Sequence, residues 1–267
     1  TRCLSDWSSD VCSSDLTDVR LDTDATDDNT TGGSITFTSD APIVSATAEF
    51  NDLTLDAGES FIAFNATIGG AACSDQNLGA LIIEEADAGV IFGGADVATT
   101  GGTGPMSGVF VQAGLDFGAG ANVITGGLTF NAGSGTFTIQ TDGGDLRFNG
   151  AITLASDLVL DTDCADDNSE GGSITFTVNT PINSEAGEHN ALTLDAGTAS
   201  ITFNANVGAN QSLSTLTIQE ADAGLTFGGA DSSTGAGGAG PVTSITTDGV
   251  IDFGSQEVIG EIGRAHV

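Results

Sequence analysis

Short apolar–polar–apolar triplets recur along the chain, usually with Thr in the middle and with Gly, Asn or Asp at the flanks. A period of two places both apolar residues on one face of an extended strand, and it places Thr, which favours strands, on the other face. No segment shows a helical period, so the pattern predicts an all-β protein made of short strands. Examples are Ile35-Thr36-Phe37, Leu128-Thr129-Phe130, Ile152-Thr153-Leu154, Leu216-Thr217-Ile218 and Leu225-Thr226-Phe227.

The chain also contains a longer repeat with an offset of 139 residues. Residues 21–38 read LDTDATDDNTTGGSITFT, and residues 160–177 read LDTDCADDNSEGGSITFT. The correspondence continues as far as residues 116–118 and 252–254, interrupted by a short insertion in the first copy around residues 72–75. The sequence therefore predicts two head-to-tail copies of one unit, the second shorter than the first.

Short strands, glycine-rich corners and internal repetition favour a β-solenoid with a narrow core of stacked Ile, Leu and Phe. Many triplet centres lie 9 residues apart, or about twice that, which suggests coils of roughly 18–22 residues and some 12 coils in a rod of about 60 Å. We expect one continuous solenoid over residues 17–260, with superrepeats at about 18–156 and 157–260. The alternative is a series of tandem β-sandwich domains, which also contain short strands at regular spacing.

The two ends differ in character from the rest of the chain. Residues 10–15 (DVCSSD) can be encoded by a DNA string whose reverse complement encodes residues 262–267 (IGRAHV). Unrelated peptides do not become mutual reverse complements by chance, and the string resembles a common sequencing-library adapter. We therefore expect residues 1–16 and 261–267 to be non-native, adapter-derived tails, and the remainder to be a fragment of a longer protein. The tails carry the single Trp, two of the four Cys and one of the two His.

Acidic residues dominate the charge. Residues 17–260 keep 33 of the 37 acids against two basic residues, Arg20 and Arg147, a net charge of −31, and the chain has no Lys. Nucleic acids and anionic membrane surfaces require Lys or Arg to neutralise phosphate, so nucleic-acid binding is excluded. No apolar run approaches the ~20 residues of a membrane helix, so we expect no membrane-spanning segment.

An Asp-rich segment near the start of each copy is the sharpest local feature. Clustered carboxylate and amide oxygens are the ligands that Ca²⁺ prefers, so calcium binding is a hypothesis for this segment. Its spacing, D-x-D-x-x-D-D-N, matches neither an EF-hand loop nor a calcium-binding nonapeptide repeat. The alternative is a solvated acidic turn before a Gly-Gly corner. The candidate metal ligands are Asp22, Asp24, Asp27, Asp28 and Asn29 in the first copy, and Asp161, Asp163, Asp166, Asp167 and Asn168 in the second.

The remaining reactive residues are few. Cys73 and Cys164 lie far apart without metal-ligand spacing, so we expect two free thiols rather than a disulfide. His189 corresponds to Phe50 in the first copy, which indicates a partly packed loop position. Arg147 reads as an outward strand residue among acids. Without the usual acid, base and nucleophile partners, we expect no enzymatic activity.

Residues 127–139, GLTFNAGSGTFTI, resemble the repeats of filamentous-haemagglutinin-type and autotransporter passenger proteins of bacterial surfaces. The resemblance implies a single-stranded right-handed parallel β-helix, secretion to the cell surface, and a structural or adhesive role toward surface glycans or proteins. No adhesive residue can be transferred. Two other functions remain open. A carbohydrate-active β-helix enzyme would need a groove lined with carboxylates and Arg147, and ice binding would need regular ranks of outward Thr.

Overall fold

The structure, a computed structural model, describes residues 18–24, 32–94, 106–164, 170–228 and 242–254, and the backbone of strand 258–260. Both expected tails lie outside these residues. The described part is all-β, as predicted, and contains no helix and hence none that could cross a membrane. Its strands are β1 (Val19–Asp22), β2 (Ile35–Phe37), β3 (Leu53–Asp56), β4 (Phe61–Phe64), β5 (Leu78–Glu85), β6 (Gly89–Phe92), β7 (Gly108–Phe117), β8 (Leu128–Phe130), β9 (Thr136–Gln140), β10 (Asp145–Phe148), β11 (Ile152–Leu154), β12 (Asp157–Asp161), β13 (Ile174–Phe176), β14 (Ile182–Ser184), β15 (Leu192–Asp195), β16 (Ser200–Phe203), β17 (Leu216–Glu220), β18 (Gly224–Phe227), β19 (Ile251–Asp252) and β20 (Val258–Gly260).

Every pairing between these strands is parallel, and the pairs form three rows. Row one contains β1, β3, β5, the second half of β7, β10, β13, β16, β18 and β20. Row two contains β2, β4, β6, β8, β11 and β14, and row three contains the first half of β7, then β9, β12, β15, β17 and β19. Because β-sandwiches are built from antiparallel sheets, the sandwich alternative is wrong for these strands.

The chain visits the rows in a constant order: one, two, three, and back to one. Where a row has no strand, a single bridge residue takes its place, as Ile43 and Ile68 do in row three and Val207 and Ile245 do in row two. We call one visit to all three rows a circuit. Each strand therefore pairs with the strand one circuit earlier and the strand one circuit later.

Phenylalanine stacks fill the space inside the rows. In row one, five rings follow each other at centroid distances of 4.9–5.4 Å, and in row two four rings do so at 4.9–5.2 Å. These distances match the separation of neighbouring strands, so each ring lies on the equivalent ring of the next circuit. Most of the predicted inward Ile, Leu and Phe are buried, and Phe37 is half-buried. The stacked rings are Phe117, Phe148, Phe176, Phe203 and Phe227 in row one, and Phe37, Phe64, Phe92 and Phe130 in row two.

Most circuits are longer than the expected 18–22 residues. Phe137 pairs with Leu158, 21 residues later, whereas Val90 pairs with Leu128, 38 residues later. The spacing of 9 residues between triplets was the spacing between rows, and a circuit contains three rows rather than two. Consequently row one, the longest row, has nine strands and a length of about 40 Å, less than the 60 Å predicted.

The two copies of the repeat occupy different rows. The strand β12, which contains Leu160 at the start of the second copy, pairs with β9 on one side and β15 on the other, so hydrogen bonding continues across the boundary. Ile35 lies in row two, but its equivalent, Ile174, lies in row one. The described residues of the first copy contain fourteen row positions, which is not a multiple of three, so the second copy is displaced by one row.

Candidate functional site

The Asp-rich segments begin where a row strand ends. The structure describes four of the ten candidate ligands, Asp22 and Asp24 in the first copy and Asp161 and Asp163 in the second. In both copies Oδ1 of the first Asp accepts a hydrogen bond of 2.9 Å from the backbone N–H of the second, which closes a tight turn and buries the second side chain. Asp27, Asp28, Asn29, Asp166, Asp167 and Asn168 lie outside the described residues.

The two turns follow strands of different rows, so the two predicted ligand sets do not form one site. Asp22 ends a strand of row one, and Asp161 ends a strand of row three. Each turn leads to a Gly-Gly corner, and there the first glycine is required. A Cβ on Gly32 or Gly171 would lie 2.2 Å from the carbonyl oxygen of Ala57 or Ala196, respectively.

Parallel pairing adds acids that sequence reasoning missed. Asp161 lies in register with Asp195 on β15, and Asp195 lies in register with Glu220 on β17. We call Asp161, Asp163, Asp195 and Glu220 the second acidic ladder. The first acidic ladder is its equivalent in the first copy, Asp22, Asp24, Asp56 and Glu85. The Leu-Thr-Leu-Asp ending shared by β3 and β15 was the available signal.

A guanidinium neutralises part of the first ladder. The side chain of Arg20 donates hydrogen bonds to Asp56 Oδ2 at 3.0 Å and to Glu84 Oε2 at 2.6 Å, and it also contacts Asp22. The side chain of Asp56 is only 2% exposed. Burial raises its pKa, and the N–H of Gly58 and the charge of Arg20 oppose that rise. Arg20 therefore joins two members of the first ladder, Asp22 and Asp56, to the neighbouring Glu84.

In the second ladder, the residues equivalent to Arg20 and Glu84 are uncharged. Val159 occupies the position of Arg20, and Gln219 occupies the position of Glu84. Asp161 Oδ2 accepts a hydrogen bond of 2.6 Å from Gln140 Nε2. Burial raises the pKa of Asp161, and the nearby charges of Asp195 and Asp163 raise it further. Asp161 therefore holds its proton more tightly than a solvated Asp does.

Asp163 is the most unusual member of the second ladder. It is 4% exposed, and neither of its carboxylate oxygens has a hydrogen-bond partner. Its Oδ2 lies 3.1 Å from the place where a Cβ of Gly197 would stand, so it packs against the backbone after β15. A cavity of about 320 Å³ lies beside it, lined by Asp161, Asp163, Cys164, Asp195, Gln219 and Glu220. As the side chains stand, no three His, Cys, Asp or Glu residues in the described ranges converge on a metal position.

A disulfide joins Cys73 to Cys164, so the expectation of two free thiols was wrong. The Cα atoms lie 5.7 Å apart, within the range that a disulfide requires. Their sequence separation of 91 residues concealed the contact, because the loop inserted in the first copy meets the corner after β12. The bond thus ties the first copy to the edge of the second acidic ladder.

Arg147 lies on the outer face of row one beside an acid, as its sequence context indicated, but it is only 6% exposed. Its Nη1 donates hydrogen bonds to Asp116 Oδ1 at 2.9 Å and to the carbonyl oxygen of Gly118 at 2.7 Å. A groove of about 400 Å³ runs past it, with Ile82 and Asp145 among the lining residues. The guanidinium is therefore a fixed part of the groove wall.

His189 is exposed and belongs to a small polar cluster rather than to a packed loop. Its Nδ1 lies 3.2 Å from Asp248 Oδ2 and 3.1 Å from Ser212 Oγ, and Ser212 Oγ donates to Asp248 Oδ1 at 2.7 Å. In a catalytic triad, the Ser and the Asp contact different ring nitrogens of the His. Here both contact the same nitrogen, so this arrangement cannot pass a proton from Ser through His.

Comparison with known proteins does not identify a function for these sites. No protein-family model matches the chain, and searches of curated proteins and of solved structures find no match either. The function proposed for the chain therefore depends on its own residues and strand pairing.

Proposed function

We propose that the chain is a structural and adhesive module of a large secreted bacterial surface protein, folded as a single-stranded right-handed parallel β-helix. The observation that carries the proposal is the constant order in which the chain visits three parallel rows. A chain that returns to each row once per circuit forms a stack that can be extended by adding circuits. Extension without a change of fold is what a long surface module requires.

The outer positions of the rows are suited to contact with polar surfaces. In row one, Thr175, Thr202 and Thr226 lie in register on three consecutive strands. Their side chains are partly exposed, and they alternate with buried residues along each strand. Such ranks of hydroxyl groups fit glycans or polar protein surfaces, which are the partners we propose.

The same row argues against ice binding as the main role. The outward positions before Thr175 are occupied by Ile82, Asp116 and Arg147. A regular rank of Thr is thus interrupted after three strands.

The disulfide and the net charge support a location outside the cytoplasm. Disulfides persist in oxidising compartments and at cell surfaces, and they are rare in the cytosol of most organisms. A net charge of −31 over residues 17–260 keeps a repetitive β-protein soluble and separates neighbouring copies. Both properties are expected of a secreted module.

A carbohydrate-active β-helix is the second candidate, because the groove beside Arg147 contains the carboxylates of Asp116 and Asp145. Two observations weigh against turnover. Arg147 is already bonded to Asp116, and Asp145 Oδ1 accepts a hydrogen bond of 2.7 Å from the backbone N–H of Ser173. Side chains committed in this way can hold a sugar but are poorly placed to exchange protons with it.

One experiment separates these functions. The full chain, immobilised in its oxidised form, is probed with an array of glycans and with extracellular-matrix proteins. The masses of the eluted glycans are then measured by mass spectrometry. We expect saturable retention of at least one glycan or protein class with no change in glycan mass. Shortened glycans would support the enzyme, and the absence of retention on every class would overturn the adhesive role.

A further inference from the structure

The groove beside Arg147 lies on the outer face of row one, where β5, β7, β10 and β13 run side by side. Two lines of outward residues, set two positions apart along each strand, form its floor and walls. Three strand spacings give the groove a length of about 14 Å, which is enough for a disaccharide. One line is Ala80, Gly114, Asp145 and Ser173, and the other is Ile82, Asp116, Arg147 and Thr175.

The lack of a side chain at Gly114 makes this part of the face concave. β7 passes from row three to row one within one strand, and its register against β5 shifts between Leu78 and Ala80. A Cβ on Gly114 would lie 2.6 Å from the carbonyl oxygen of Asp145, so the position requires glycine. In the second copy the equivalent residue is Val250, which is exposed. The groove therefore depends on a residue that the second copy has replaced.

Four polar side chains of the groove keep hydrogen-bonding capacity that the described part of the chain does not use. Asp145 Oδ1 accepts from the backbone N–H of Ser173, and Asp116 Oδ1 accepts from the guanidinium, but neither Oδ2 receives a hydrogen bond from a described residue. The hydroxyl groups of Ser173 and Thr175 are likewise unbonded within the described ranges. All four side chains are exposed or half-buried, so a ligand in the groove can reach them.

Arg147 and Ile82 determine which chemical class fits the groove. The guanidinium is held by Asp116 and by the carbonyl oxygen of Gly118, and its fixed positive charge offsets one of the two carboxylates. The half-buried side chain of Ile82 adds an apolar patch between the polar groups. Neutral sugars present C–H groups on a ring face and hydroxyl groups along the ring edge, and this combination matches an apolar floor with polar walls.

We propose that the groove binds a neutral disaccharide segment of a glycan, with a ring face on Ile82 and with sugar hydroxyl groups donating to Asp116 and Asp145. Hydrogen bonds to ionised carboxylates are the stronger kind, so these two acids supply most of the affinity. The inference rests on the adhesive function proposed above and specifies its partner and its site. A net charge of −31 over residues 17–260 repels acidic glycans. A basic peptide in the groove would meet the fixed guanidinium of Arg147.

The test is NMR of the full, oxidised chain with isotope-labelled isoleucine methyl groups. The methyl signal of Ile82, identified by its loss in Ile82→Val, reports on the groove itself. Lactose, maltose and N,N′-diacetylchitobiose are the neutral probes, and di-galacturonic acid and trilysine are the acidic and basic probes. At fixed ionic strength, we expect at least one neutral disaccharide to shift the Ile82 signal saturably and the charged probes to leave it in place.

Near-isosteric substitutions at the groove test the assignment of its residues. Asp145→Asn keeps an acceptor for the N–H of Ser173 and replaces the unused carboxylate oxygen, and it should raise the Kd for the neutral disaccharide about tenfold or more. Thr175→Val removes one hydroxyl group and should raise the Kd about two- to tenfold. The matched control is Thr226→Val, because Thr226 has the same outward position in row one, two strands beyond Thr175. Its Kd should be unchanged.

The proposal is overturned if no neutral probe shifts the Ile82 signal, if only a charged probe does so, or if Thr226→Val weakens binding as much as Thr175→Val. The array of glycans and matrix proteins separates this failure from failure of the adhesive function. Retention that survives both Asp145→Asn and Thr175→Val leaves the adhesive function in place on another surface. A responsive Ile82 signal without any retention on the array overturns the adhesive function and leaves the groove as a sugar site.

Discussion

Asp161 and Asp195 are register partners on adjacent parallel strands of row three. Their carboxylates therefore lie side by side where the two strands end. Burial and the proximity of Asp195 and Asp163 raise the pKa of Asp161. This pair places an electrostatic cost at a defined point of the fold, and that cost depends on pH.

We expect the chain in metal-free buffer to lose stability as the pH rises from about 3.9, the pKa of an unfolded Asp, through the raised pKa of Asp161. The sign follows because the folded state holds this proton more tightly than the unfolded state does. Asp161→Asn should therefore raise the Tm at pH 7 and have no advantage below pH of about 3.9. Gln140 Oε1, which has no partner at present, can accept the new amide N–H after a flip of the Gln140 side chain. A lower Tm for Asp161→Asn at pH 7 would contradict the prediction.

The phenylalanine stack should be most sensitive at its middle. Phe148 is fully buried between Phe117 and Phe176, and Phe130 contacts it edge-on, so Phe148→Ala removes three ring contacts and leaves a cavity. We expect a loss of about 3–5 kcal/mol in the free energy of unfolding, measured by denaturant titration. Phe37→Ala is the matched control, because Phe37 is half-buried at the end of its stack and contacts only Phe64 among the stacked rings. Equal losses for the two variants would show that the stacks do not act as continuous units.

Reduction of the disulfide should destabilise the chain without unfolding the rows. Closing a loop of 91 residues between Cys73 and Cys164 restricts the unfolded chain, an effect of roughly 4–5 kcal/mol in the chain-entropy estimate. We expect the Tm to fall by about 5–15 °C in reducing buffer, with the far-ultraviolet circular dichroism of β-structure retained below the transition. Cys73→Ser should show this lowered Tm in oxidising and in reducing buffer alike, because it lacks the bond in both. If that variant still responds to reductant, another disulfide is responsible.

The Gly-Gly corner should tolerate no side chain at its first position. Gly171→Ala forces a Cβ to within 2.2 Å of the carbonyl oxygen of Ala196. Gly187→Ala is the control, since Gly187 also has a positive φ, 88°, but no heavy atom within 4 Å of the added Cβ. We expect the control to lose about 1–2 kcal/mol through backbone strain alone. Gly171→Ala should lose about 1–3 kcal/mol more, because the corner and the strand after it must shift.

The strands and the core were predictable because a period of two is a local property of the sequence. A triplet such as Ile174-Thr175-Phe176 identifies its buried and exposed residues without reference to any other part of the chain, and the structure places them accordingly. The length of a circuit was not predictable in this way. A spacing of 9 residues between triplets does not reveal how many rows the chain visits before it returns.

The candidate site was predictable only in part, for the same physical reason. Asp161 and Asp163 stand close together in sequence, and their common turn follows from the chemistry of Asp. Asp195, Glu220 and the partner of Cys164 come from other circuits, and only the pairing register brings them to the site. The identity of the residue that neutralises part of the first ladder also required the pairing, because Arg20 reaches Asp56 and Glu84 across two neighbouring strands.

The displacement of the second copy by one row has a geometric consequence for a longer array. In the proposed β-helix, fourteen row positions would advance each copy by two thirds of a turn beyond whole turns, so equivalent side chains would follow a screw path around the axis and return to the same side after three copies. A surface of one copy that binds a partner would recur in the next two copies, pointing in a different direction each time. A filament built in this way would have no blank side, and it could engage surfaces at any rotation about its long axis.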